Sequence, residues 1–512
     1  MKVENRQTDK EFGTESVGNS VVYQYLSSFI TVLSGLIFYI YIVRILNATI
    51  VGSIALLLAI SGLFSLIFSF GLGSSSRHFF SYHIGKDKGK VPLKLITTIL
   101  FLSFILSVTV FITTYMLAQP LSFVFFHNGS YEYAIRLMGV SISFGVVDTI
   151  LIGILLGLQK FKYQAFSSSF QSISSYSFPI VFYSLHHTLG FFVIGWILSN
   201  FIVFLIALTG IIRKTSYSAE IETSSNSILL KYTLPIYLSA VVGMGATYID
   251  RFVVAYFMPL TDIAIYNFAL LFYSSIGFLT IPVNHIILPK ISERYSIGDY
   301  TNIKSISRFS ISLISFIYLP CAMGLAAISN ILITLVGGTF YTGAATPLTI
   351  MLMLGSISVP TYVFLQTLSG TRNTNALFIA SVSALLSNFI LSIVLIPRYG
   401  LIGAAFSFSS ASLITLFIYS LYCIKLGVFS LNLVSQAKIF ASAITMYLTI
   451  TLTSHYLKFA VLDFPIFIVE GIIVYVFAIK ITKPIDKHNI EGFSKSFSGL
   501  FVSIARVAQW LF

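Results

Sequence analysis

Few side chains in this sequence carry charge, and those lodged inside apolar runs have the most chemistry to offer. Asp250 and Arg251 adjoin in ATYIDRFVVAYF, Asp148 stands alone in SFGVVDTILIG, and Glu470 stands in FIVEGIIV. An ionisable group inside a hydrophobic span is expensive and is a functional candidate by default. Neighbours on a helix point about 100° apart, so Asp250 and Arg251 cannot face each other. Asp250 is expected to hold another helix while Arg251, whose planar fork suits oxyanions, turns towards a cavity. The opposing reading is a charged helix end that reaches outer water. Asp148 is the coupling candidate: it pairs with a cation or takes up a proton that biases one conformation. A neutral acid bonded to a serine or a backbone carbonyl is the alternative there. H+ or Na+ would be the coupling species, with no other cofactor.

Other charged groups have plainer readings. Glu470 is expected to make a structural hydrogen bond, a lipid-tail groove being the weaker reading, and Arg136 pairs with Glu132 one turn earlier. Arg77 and His78 end an apolar run on the cytoplasmic side, where they anchor the chain or draw in an anion. Arg44 and Arg398 fall on the outer rim, where they meet lipid headgroups or a departing ligand.

The elements that must hold these groups are greasy. Of the 512 residues 56% are hydrophobic and only 9% charged, with a mean hydropathy of +0.92. A soluble chain carries about a quarter charged residues, so this is an integral membrane protein. Cys321 and Cys423 both lie in apolar runs, which suggests neither a disulfide framework nor a thiolate metal site. Residues 1–18 mix acids and bases without an apolar core, as a cytoplasmic tail does and a signal peptide does not.

A spanning helix needs about 20 apolar residues. Runs of that kind fall at 20–43, 53–71, 93–117, 132–158, 165–185, 189–212, 232–257, 264–289, 306–328, 345–369, 374–396, 402–424, 434–456 and 462–481. With both termini inside, the layout places all but five of the 30 Lys and Arg residues in cytoplasmic tails and loops. Arg44, Arg398 and Lys458 lie outside, and Arg136 and Arg251 lie within spans. That bias is the positive-inside rule, so the formal charge of +13 reports topology and not nucleic-acid binding. Pro397-Arg398-Tyr399-Gly400 becomes the tip of an outer hairpin. Asn128-Gly129-Ser130 lies in an outer loop and fits an N-glycosylation acceptor.

The chain also matches itself at an offset of 213 residues. YHIGKD from Tyr82 meets YSIGDY from Tyr295, Gly157 meets Gly370, Gly190 meets Gly403, and LNATIVG falls opposite PLTDIAI. A six-span unit returns to its starting side, so the copies share orientation and relate by an axis along the membrane normal. The expected organisation is a tail (1–18), an N-lobe (19–212), a cytoplasmic linker (213–231), a C-lobe (232–425) and two appended spans (434–481). An amphipathic tail (486–512) follows; its apolar residues recur every three or four positions, and Trp510 anchors it to the inner surface.

Several stretches resemble a known family. VLIPRYGLIGAAFS, YIDRFVVAYFMPLTDIAIYNFA and FLTIPVNHIILPKISERYSIGDY are similar to the polysaccharide transporter group, the Wzx-type oligosaccharide flippases. That group belongs with the multidrug extrusion transporters and lipid II flippases. RILNATIVGS, GLGSSSRHFFSYHIGK and LLGLQKFKYQAF extend the resemblance over essentially the whole chain. NATIVG departs from the pattern, because it lacks the acidic residue usual in that loop.

The resemblance implies an all-α fold of about fourteen spans, in two six-helix lobes plus two extra helices, and a function without catalysis. A polyprenyl phosphate- or pyrophosphate-linked oligosaccharide would pass from the cytoplasmic to the outer leaflet of the cell membrane by alternating access. Membrane lipids and glycan-assembly enzymes are the other expected partners. Arg251 would meet the linker phosphate, with Asp250, Arg77, Tyr248 and Tyr266 as further cavity residues. Tyr248, Tyr256, Tyr266 and Tyr273 offer aromatic faces for sugars, although most tyrosines in such a chain are interface residues. Gly243, Gly245 and Gly277 are expected to let helices pack closely. The rival function is a cation-coupled multidrug antiporter, for which Asp148 is a partial fit. A membrane-embedded glycosyltransferase would need outer carboxylates, and only Asp262 and Asp463 stand out there. No Walker motif, metal-ligand cluster or nucleophile arrangement is present in the sequence.

Overall fold

The computed structural model describes residues 17–77, 80, 91–213, 217–218, 225–456 and 464–484. The amphipathic tail, His78, Lys458 and Asp463 lie outside the described residues. The chain divides into two compact units, Met1–Met244 and Gly245–Phe512.

Unit 1 is built from α1 (Val17–Ile45), α2 (Ala48–Ser69), α3 (Leu93–Phe126), α4 (Glu132–Gly157), α5 (Phe161–His186) and α6 (Leu189–Ile212), followed by the first part of α7 (Ser225–Phe257). There Tyr237 of α7 donates a hydrogen bond to the Ile67 carbonyl and stacks on Phe70 at 5.4 Å. Val91–Pro92 and Tyr217–Ser218 pair in parallel, two residues each. Unit 2 holds the rest of α7, then α8 (Leu260–Ile276), α9 (Ile281–Ser296), α10 (Tyr300–Ala327), α11 (Ser329–Gly337), α12 (Ala345–Ile357), α13 (Pro360–Gly370), α14 (Thr374–Lys425), α15 (Leu433–Tyr456) and α16 (Phe464–Thr482).

Each of the fourteen expected spans falls on helix, as a bilayer requires of backbone with no water to bond. By length and composition 11 helices qualify as spans among the described residues. The difference has local causes. Serines and glutamines dilute α5, and α14 runs through two expected spans without an assigned break.

α14 is not a rod. Gly400 has φ 57° and ψ −135°, and a side chain on Gly403 would lie 2.4 Å from the Leu395 carbonyl oxygen. In a continuous helix residues eight apart are about 12 Å apart, so the chain reverses here and Pro397–Gly400 is a hairpin tip. Two other expected spans are broken. Gly277–Thr280 forms a 3-10 turn between α8 and α9, and Pro360 opens α13 three residues after α12 ends. Proline has no N–H to continue the ladder.

The internal repeat is visible in backbone geometry. After α4, Lys160 N–H bonds the Leu155 carbonyl at 2.9 Å, and after α13 Asn373 N–H bonds Leu368 at 2.9 Å. Gln159 and Arg372, 213 residues apart, share left-handed φ values of 57° and 59°. His187 and Gly400 do likewise at 50° and 57°. Gly157 abuts the Arg77 carbonyl and Phe80, and Gly370 abuts Ile291 and Ser292, each one residue from the matching position. The loop after α1 slips by one residue. Asn47 and Pro259 are the paired N-caps, where the sequence match sets Leu46 against Pro259.

Close helix contacts hold unit 1 together. A Cβ on Gly195 would lie 2.4 Å from Pro179 N, which lets α5 and α6 touch backbone to backbone. Trp196 Nε1 then donates to the Ser175 carbonyl at 2.8 Å. Gly277 has open space around it, so it opens a turn and does not serve close packing; Gly245 meets Leu385 at ordinary contact distance.

Candidate functional site

In unit 2, α7 places Asp250 and Arg251 on different sides. Asp250 is fully buried, and one carboxylate oxygen accepts the Tyr266 hydroxyl of α8. Its other oxygen has no partner among the described residues. Arg251 is half-buried, its guanidinium 5.0 Å from the centre of the Tyr248 ring, and its Nε has no hydrogen-bond partner among the described residues. One turn before Asp250, α14 docks: Asn388 Nδ2 donates to the Ala246 carbonyl at 3.0 Å. Ser392 Oγ donates to Asn388 Oδ1 at 3.1 Å. Asn388 and Ser392, both buried, were not singled out in the sequence. Their signal was an i, i+4 polar pair inside the apolar run SNFILSIVL.

Asp148, in unit 1, is buried at 1% exposure, and neither oxygen has a hydrogen-bond partner among the described residues. A tight glycine seam lies next along the same helix. A Cβ on Gly153 would lie 2.1 Å from the Gly73 carbonyl oxygen, and one on Gly73 2.8 Å from that of Thr149. A buried carboxylate without a protein hydrogen-bond partner is costly, and a proton or cation would relieve that cost.

A third feature was absent from the sequence expectations. Gln164, Ser168, Gln171, Ser172 and Ser175 fall on one face of α5, and all but Gln164 are half-exposed. Gln164 Nε2 donates to Ser168 Oγ at 2.9 Å, and Thr31 of α1 shares a 2.7 Å hydrogen bond with Ser172. Hydroxyls and amides at mid-span are characteristic of a water-facing or ligand-facing surface.

The remaining predicted residues lie apart from these groups. Arg44 and Arg77 are exposed in unit 1 and Arg398 is exposed in unit 2. Tyr256 is exposed, whereas Tyr273 shares hydrogen bonds with Ser412 and Tyr318. Glu470 accepts from Thr453 Oγ1 at 3.0 Å. Arg136 pairs with Glu132 and lies 4.4 Å from the centre of the Tyr115 ring. Asn128 accepts from Ser130 N–H at 3.0 Å. Outside the spans, Lys160 Nζ donates to the carbonyls of Gly210, Ile211 and Arg213 at the end of α6. Burial lowers its pKa to about 8, and the three carbonyls work against that loss of charge. No group of three or more His, Cys, Asp or Glu side chains positioned for a metal occurs among the described residues.

Comparison with known proteins joins these observations to a family. The fold is similar to that of the lipid II flippase MurJ in an inward closed conformation, with a TM-score of 0.74 and 21% identity over 90% of this chain and 98% of that one. It is similar to an inward-facing multidrug resistance MATE transporter, with a TM-score of 0.66 and 15% identity over 80% and 99% of the two chains. A MOP superfamily transporter from Pyrococcus furiosus scores 0.55 at 14% identity over 80% and 93%. At these identities the likeness is one of fold, and the fold is that of transporters and flippases. No curated protein sequence matches the chain. A family model described as "Polysaccharide biosynthesis protein" matches residues 41–346, more than half of the chain, and the protein therefore belongs to that family of multi-pass membrane proteins.

Proposed function

We propose that the protein is a flippase that moves a polyprenyl phosphate- or pyrophosphate-linked oligosaccharide from the cytoplasmic to the outer leaflet of the cell membrane by alternating access. The observation that carries this reading is the half-exposed face of hydroxyls and amides on α5, in a chain of a polysaccharide biosynthesis family. The barrier to flipping is the head: sugar hydroxyls and the anionic linker lose hydration in hydrocarbon, while the tail stays in lipid. A polar passage removes that barrier without any bond being made or broken. Arg251 meets the linker phosphate, and Asp148 takes up the coupling H+ or Na+. Both termini face the cytoplasm, where the glycan-assembly enzymes deliver the substrate. The test is reconstitution in liposomes with candidate lipid-linked oligosaccharides. At least one is expected to reach the far leaflet faster than in protein-free vesicles; equal rates for all of them would refute the reading.

One observation favours a second function, cation-coupled multidrug antiport: Asp148 is buried without a hydrogen-bond partner. In the same liposomes it predicts that an imposed H+ or Na+ gradient drives organic cations out, with no movement of lipid-linked sugar.

A further inference from the structure

At the end of unit 1 that carries the loops 46–47 and 187–188, a cavity of about 240 Å³ lies between α1, the start of α2, and the α5–α6 turn. It is smaller than the roughly 300–1,000 Å³ of pockets that hold drug-sized molecules, a scale that suits a single sugar ring. Its wall combines aliphatic side chains with Tyr41, Asn47, Tyr183, His187 and Phe192.

Two features separate this wall from ordinary packing. Asn47 is the N-cap of α2, a position where an Asn side chain normally accepts a helix N–H, yet its side chain makes no capping bond. The side chains of Tyr41, Tyr183 and His187, which line the same cavity, likewise have no hydrogen-bond partner among the described residues. Tyr183 is meanwhile held in orientation, edge-on to His187 at 5.5 Å and to Phe192 at 6.3 Å. Tyr183 is thus held by its ring neighbours, and the polar groups of Tyr41, Asn47 and His187 are exposed and open to a ligand.

We infer that this cavity is a binding subsite for one neutral sugar ring of the transported glycan. The ring's C–H face lies against the Tyr41 and Tyr183 rings, which offer apolar area with polar tips. Its hydroxyls meet the Asn47 amide, the Tyr183 hydroxyl and the His187 imidazole. The lining holds no carboxylate, lysine or arginine, so it favours the glycan over the anionic linker. With both termini cytoplasmic, the subsite faces outward and holds the head on the exit side. The inference rests on the flippase reading for the source of the sugar.

The chain supplies its own reporter. Of its two tryptophans, Trp196 lies 4.9 Å from Phe192, ring to ring, and Trp510→Phe leaves it alone. The full-length W510F protein in lipid nanodiscs is titrated with methyl glycosides of a neutral hexose, a deoxyhexose, an N-acetylhexosamine and a uronic acid, and with inorganic phosphate and glycerophosphocholine. The expected result is a saturable change in Trp196 emission with at least one neutral glycoside. Asn47→Ala and Tyr183→Phe, added separately, each weaken it about tenfold, as loss of one well-placed hydrogen bond would. Because the Asn47 side chain caps nothing, Asn47→Ala is expected to melt with the parent. No response to any glycoside, a response only to phosphate or glycerophosphocholine, or equal affinity in both variants would overturn the subsite. Liposome flipping separates the two ideas. Flipping without glycoside binding removes the subsite alone, and glycoside binding without flipping removes the flippase reading alone.

Discussion

In unit 1 the buried carboxylate is Asp148, in the fourth span, with neither oxygen hydrogen-bonded among the described residues. In unit 2 it is Asp250, in the seventh, with one oxygen held by Tyr266. The repeat does not exchange them. Thr361 stands 213 residues after Asp148, and Ile37 stands the same distance before Asp250. Even so, the turns after α4 and α13 agree in hydrogen bonds and in left-handed φ. Closing a helical hairpin in lipid leaves little freedom in backbone geometry, so both copies share it. A buried charge has a free-energy cost wherever it sits, and each unit carries its own at a different place. The scaffold is duplicated; the ionisable chemistry is divided between a bare carboxylate and a tethered one.

Four measurements would break or sharpen that contrast. The largest effect is expected at Asp148. Asp148→Asn should lower transport about tenfold or more, the scale of a lost coupling interaction of about 1–3 kcal/mol, and remove its pH dependence, with thermal stability unchanged or raised. An unaltered rate and pH profile in liposomes would reject the coupling role.

Next in size are the paired glycines. Gly157→Val and Gly370→Val should each cost about 1–3 kcal/mol by overpacking, since each new Cβ would meet its neighbour at 2.8 Å. A large cost at only one of them, read from melting in detergent, would show that the copies do not share this contact.

The tethered carboxylate comes third. Tyr266→Phe should cost about 1–3 kcal/mol by stranding Asp250. The double variant with Asp250→Asn should recover part of that, and a double-mutant cycle checks it.

The smallest effect concerns Lys160. Its native pKa of about 8 lies below the ordinary lysine value of 10.5, so the unfolded chain binds more protons between those values. Stability should rise with pH across that window, and Lys160→Met should flatten the rise in a thermal melt series. A parent profile that fell instead would reverse the assignment.

Much of the fold was legible because a span is a run of apolar residues and nothing subtler. The hairpin tip was legible too, since proline and glycine together interrupt a helix wherever they fall. Arg136–Glu132 followed from i, i+4 spacing, and Glu470 took the structural hydrogen bond expected of it. The helix breaks at 277–280 and 358–359 were not legible, because hydropathy averages over them. The polar face of α5 was spelled out in SSSFQSISSYS but was absorbed into a span by the apolar residues that interrupt and follow it, and which way its hydroxyls face depends on packing.

By itself, the sequence determined the membrane, the number of crossings and the repeat, because these depend on composition and order along the chain. Only the tertiary structure decided that Tyr266 holds Asp250, that Asn388 docks 142 residues away on Ala246, and that Asp148 is left with no bond. A side chain's partner is set by which helix faces meet. That depends on close packing through space, which residue spacing does not record.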